Sequence, residues 1–134
     1  MTTIVQADDA IINHFIDEWG NTTPIAKRNQ IFAGAEEFVR PVVKPSAGEN
    51  KGVSSGGFDG RLIRQYGLVI VQVFVRDGGG VSRLNQICQQ VLGVLSQEID
   101  GVELKNGYVK DVGSDGAGYY QQQVIFEYQY DYVV

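Results

Sequence analysis

Histidine and cysteine occur once each, as His14 and Cys88, and that scarcity excludes more than it permits. A lone cysteine closes no disulfide within its chain, and a lone histidine without a cysteine nearby leaves any metal site to carboxylates. No metal and no cofactor are therefore expected. Bases are also short: 11 Lys and Arg stand against 16 Asp and Glu, a net charge of −5. That is the wrong sign for a broad grip on phosphate backbones. No apolar run approaches the roughly 18 residues needed to span a bilayer, and no signal-peptide pattern opens the chain. A membrane partner is not expected, and a reducing cytoplasm is.

Catalytic motifs are missing as well. Gly78, Gly79 and Gly80 follow a strand pattern and precede a helix pattern, but they are contiguous, where a dinucleotide fingerprint wants GxGxxG and a phosphate loop wants GxxxxGK[ST]. Ser54 and Ser55 lie in no GxSxG elbow. Three carboxylate pairs (Asp8 with Asp9, Asp17 with Glu18, Glu36 with Glu37) are adjacent in sequence, so their side chains diverge on a helix or a strand instead of converging on a substrate. No enzyme is expected.

What the chain does have is one strong folding unit, from Tyr66 to Leu95. The run YGLVIVQVFVR is apolar on both alternating faces, which predicts a central strand covered on both sides. Asp77 and Gly78 to Gly80 stop it, and Leu84, Ile87, Cys88, Val91, Leu92 and Leu95 then draw one stripe along a helix. Cys88, on that stripe, reads as a small buried hydrophobe.

Upstream, Asp8 or Asp9 caps a first helix carrying Ile11, Ile12, Phe15, Ile16 and Trp19 at helical spacing, with Gly20 ending it. His14 beside this stripe reads as a surface or boundary residue. Residues 25–32 are expected extended or irregular after Pro24, and residues 36–44 alternate as a strand in which Pro41 demands an edge or a bulge. Residues 46–60 hold five glycines and three serines, with Phe58 as the one large apolar group, and predict a mobile loop. A weaker strand spans 104–112, a turn 113–118, and a last strand 119–133. There Tyr120, Gln122, Val124, Phe126, Tyr128, Tyr130 and Tyr132 share a core face, leaving the opposite face wet or interfacial. The fold class is α+β: one domain over 1–134, with an antiparallel or mixed sheet of four to five strands and two main helices packed on it.

The segment ending the first helix and the later central strand together resemble the tail terminator (gpU-like) proteins of long-tailed bacteriophages. The resemblance is carried by Trp19, then Thr23, Pro24, Ile25, Ala26 and Asn29, then Phe38-Val39-Arg40. Arg64 and Gly67, the run Val71-Gln72-Val73-Phe74, the turn closing at Gly80 and the helix after it complete the series. Lys27-Arg28 and Pro41 depart from the family's pattern.

The resemblance implies a structural virion protein that assembles as a homo-hexameric ring on the head-proximal end of the tail tube. Such a ring stops polymerisation and offers the surface for head joining. Its partners would be copies of itself, the major tail tube protein and a head-completion or connector protein, with DNA passing through the channel without specific binding. Its place would be the virion tail, after assembly in the bacterial host cytoplasm. A different head-tail connector or neck protein, and a non-viral small-molecule-binding α+β domain, are the alternatives.

Charge is segregated along the chain: residues 1–26 hold four acids and no bases, 27–97 nine bases and five acids, and 98–134 two bases and seven acids. Unlike surfaces on one subunit suit the heterologous contacts of a ring. The interface residues expected on this ground are Arg61, Arg64 and Arg83 against Glu98, Asp100 and Asp131, with Phe58 anchoring the loop on a partner.

Overall fold

The computed structural model describes residues 4–26, 36–53, 61–78, 81–99, 101–114, 116 and 118–133. In chain order these form α1 (Ile4–Trp19), β1 (Glu37–Val53), β2 (Arg61–Arg76), α2 (Val81–Leu95), β3 (Glu103–Ser114) and β4 (Tyr119–Val133). The strands make one sheet in the order β1-β2-β4-β3, and every neighbouring pair is antiparallel. Both helices lie on the same side of it. The result is the α+β sheet-and-helix architecture that the patterning predicts.

Periodicity explains which side. Val69, Val71, Val73 and Val75 recur every second residue on β2, so all four point to one face, and all four are buried. Val39 and Val43 of β1 and Val124 and Phe126 of β4 face the same way. Onto this surface α2 lays Leu84, Ile87, Cys88, Val91 and Leu95, while α1 adds Ala7, Ile11, Phe15 and Trp19. His14, at the margin of α1, donates through Nε2 to the carbonyl of Val94 at 3.0 Å and so ties the helices together.

The first helix corrects two expectations. It starts at Ile4, with Asp8 and Asp9 well inside it, because Ala7 extends the buried stripe back from Ile11 by one turn. Ile16, expected on the stripe, points outward and is 44% exposed. Gly20, at φ 59°, stops the helix in the left-handed conformation that glycine adopts without strain. Trp19 Nε1 then donates to Thr23 Oγ1 at 3.1 Å in a buried site, which fixes the turn.

That turn delivers Pro24 to Ala26 onto the free edge of β1. Val39 N donates to the Pro24 carbonyl (3.1 Å) and Ala26 N to the Val39 carbonyl (2.8 Å). The amide of Val39 therefore faces away from β2. Pro41 and Pro45 have the same parity on the strand, so the amides they lack are those that would also have faced the free edge. β1 is thus an edge strand whose prolines cost no ladder bonds.

β1 also runs further than the sequence suggests. Residues 46–53, expected within a mobile loop over 46–60, continue the strand to Val53 opposite β2, with register shifts between Pro45 and Gly48 and between Asn50 and Val53. Main-chain pairing needs no large side chains, and the bulges accommodate the irregular sequence. The rest of that expectation, residues 54–60 with Phe58, lies outside the described residues.

Candidate functional site: the open face of the sheet

No helix or strand among the described residues covers the other face of the sheet, although β2 is apolar there too. One row crosses all four strands: Val42 opposite Ile70, Ile70 opposite Ile125, and Ile125 opposite Tyr108. Val42 and Ile125 are buried, Ile70 is half-buried, and Tyr108 is 52% exposed. On one flank runs a row of Arg40, Gln72, Gln123 and Lys110, and on the other Lys44, Leu68, Glu127 and Lys105, with Leu68 37% exposed. An apolar centre flanked by Arg40, Lys110, Lys44 and Lys105, with Glu127 as the acid in these rows, makes an amphipathic surface on a chain that is acidic as a whole.

At one end the surface is anchored by a second, smaller core. Phe38 stacks on Phe74 with ring centroids 4.6 Å apart, Tyr119 meets Phe38 edge-on at 5.3 Å, and Ala26 completes the cluster. The Arg40 guanidinium lies over both phenylalanine rings, 5.9 and 5.6 Å from their centres, an arrangement that favours the cation. At the other end Arg64 donates to both carboxylate oxygens of Asp131, at 2.8 and 3.0 Å. That bidentate bond and the Asp131 charge push the Arg64 pKa further up.

Of the interface residues expected from sequence, Arg64 and Asp131 are thus brought together, but on adjacent strands of one chain instead of on two subunits. Arg83 is likewise engaged within the chain, donating through Nε and Nη2 to the two carboxylate oxygens of Glu37 (2.8 and 2.5 Å), away from the open face. Glu98 is exposed between α2 and β3. Arg61 has its backbone in β2 opposite Val53, while Phe58 and Asp100 lie outside the described residues. Lys44, Lys105 and Lys110 went unnoticed in the sequence, and they form no ion pair among the described residues. A signal existed: Arg40, Val42 and Lys44 alternate with the buried face of β1.

The Arg83 hydrogen bond, with the guanidinium charge, holds the Glu37 carboxyl below its ordinary range although burial opposes it. A carboxyl depressed in the folded state adds stability above its unfolded pKa, about 4.3, and loses it as pH falls through the folded value. Glu37→Gln is therefore expected to cost about 0–1 kcal/mol at pH 7, the pair being partly exposed, with the gap to wild type closing below about pH 4. Urea unfolding at pH 7 and pH 3.5 checks it, and an equal gap at both would contradict it.

The sheet's edges are both unsuited to adding a further strand. The free edge of β1 lacks donors at Pro41 and Pro45, and Pro24 to Ala26 occupy its position at Val39. β3 is kinked where Asn106 takes φ 58°, with a register shift between Lys105 and Tyr108. Gly107 at this bulge lies beneath the Phe126 ring, which would overlap any Cβ there. Bulges and prolines of this kind keep sheets from merging, so contacts with other molecules fall to the faces.

Among the described residues no group of three or more His, Cys, Asp or Glu side chains is arranged to hold a metal, and no helix is long and apolar enough to cross a membrane. Burial pushes the Cys88 thiol up to about 11, and its Sγ donates to Gln122 Oε1 at 3.2 Å. No family model matches the chain, and no curated protein does. Solved structures share the fold. One, of a protein that bears no functional name, is 17% identical with a TM-score of 0.59, over 91% of this chain and 94% of that one.

Proposed function

We propose that the chain is a structural subunit of a virion ring, of the tail-terminator kind that it resembles. Six copies close on the head-proximal end of the tail tube, halt its growth and present the surface to which the head joins. The observation that carries this reading is the open face: an apolar row with basic flanks on a sheet whose edges are blunted. Leu68 and Tyr108 leave apolar surface exposed on that face, which suits a partner from outside the subunit. Support also comes from where the resembling residues sit. Trp19 and Pro24 to Ala26 hold Phe38 to Arg40 in place, and the run Val71 to Phe74 pairs with that same part of β1. They form one contiguous piece of the fold.

Electron microscopy of the protein mixed with its cognate tail-tube protein tests the reading. Tubes of limited length, each closed at one end by a ring of six, are the expected result. Tubes of unaltered length without rings would sink it, and binding to the portal side instead would assign the chain to the neck.

A further inference from the structure

We infer that the open face of the sheet receives helix α1 of a second copy of this chain, an arrangement that rests on the ring reading and specifies its subunit contact. Helix α1 is the complement of that face in both charge and shape. It carries Asp8, Asp9, Asp17 and Glu18 and no base, and Asp9, Asn13, Ile16 and Asp17 recur on its outward side. Ile16, 44% exposed between these acids, offers the apolar contact that Leu68, Ile70 and Tyr108 can bury. Lys44, Lys105 and Lys110 flank that apolar row and outnumber Glu127, the acid among them, whose carboxylate accepts from Asn106; neither these lysines nor Asp9, Asp17 and Glu18 form an ion pair among the described residues. Dimensions agree: 16 helical residues extend about 24 Å, and four strands span roughly 14–19 Å.

The two surfaces differ, so each copy uses both, and the contact propagates head to tail until a rotation closes it. Helix α1 and the open face lie on opposite sides of the sheet, so two copies cannot make the contact reciprocally, and a pair of open faces would set lysine against lysine. Single-stranded nucleic acid fits the face less well, because bases need aromatic platforms. Phe38, Phe74 and Tyr119 are buried against one another, which leaves Tyr108 as the exposed ring of the central row.

A charge swap tests the contact. One variant carries Lys105→Glu with Lys110→Glu, the other Asp9→Lys with Asp17→Lys, all four at exposed positions. Each alone faces like charge with like charge and is expected to associate at least roughly tenfold more weakly than wild type in sedimentation equilibrium. An equimolar mixture restores unlike charge at every contact and is expected to associate again. Variants that associate alone like wild type, or a mixture that stays monomeric, overturn the inference. If wild type caps tubes and either variant alone caps them equally well, the inference falls and the ring reading stands. If wild type neither associates nor caps, the ring reading falls and takes the inference with it. Retention of a single-stranded oligonucleotide by wild type, lost in the lysine variant and without self-association, would give the face to nucleic acid and overturn the inference too.

Discussion

Phe15→Ala is expected to lower the free energy of unfolding by about 3–5 kcal/mol, the range for deleting a buried phenylalanine ring. The side chain is fully buried, stacked on Trp19 with centroids 5.2 Å apart and planes at 19°. Its removal leaves a cavity in the main core beneath α1, and the buried hydrogen bond from Trp19 to Thr23 restrains the indole from collapsing into it. The expected cost is a large share of the 5–15 kcal/mol that holds a typical domain together. Urea or guanidinium unfolding measures it. A loss below about 1 kcal/mol would mean that α1 packs less tightly than the burial of Phe15 implies.

The second large effect comes from adding one carbon. Gly67 on β2 lies opposite Tyr128 on β4, and the tyrosine ring folds over it so closely that a Cβ would overlap the ring and its hydroxyl. Tyr128 is itself buried and parallel to Tyr130, with centroids 6.2 Å apart and planes at 1°, so the ring has little room to swing aside. Gly67→Ala is expected to cost about 1–3 kcal/mol by overpacking. The unfolded chain pulls the other way, since alanine has less freedom to lose, worth about 0.4–1 kcal/mol. Overpacking wins while the ring is present. In a Tyr128→Ala background the same substitution should therefore be neutral or stabilising, and a cycle of the four proteins isolates the coupling. Equal effects in both backgrounds would contradict the account.

Local periodicity carried much of the fold. The α2 stripe from Leu84 to Leu95 is buried except for half-buried Leu92, and β2 is internal as its apolar run implies. Pro41 announced an edge strand, since an internal one would lose a ladder bond there. Local periodicity failed where pairing is long-range. Val42, Ile70, Ile125 and Tyr108 come from four strands, and nothing within any one of them says that they form a row. Arg64 and Asp131 look in sequence like charges for a neighbour, because nothing local reveals the register that pairs them. Ile16 departs from its expected place for a simpler reason: isoleucine next to Phe15 suits a core stripe, but the buried side runs through Ala7, Ile11, Phe15 and Trp19.

The prolines of β1 have a kinetic consequence. Fibril growth and strand exchange both recruit a chain by docking its backbone against an unpaired edge, one hydrogen bond after another. At Pro41 and Pro45 an incoming carbonyl meets ring carbons in place of amide hydrogens, so such a template stalls almost at once. Recruitment along this edge is therefore disfavoured whatever the concentration of folded copies. An association that leaves this edge alone is one between preformed bodies, with a rate set by diffusion and orientation.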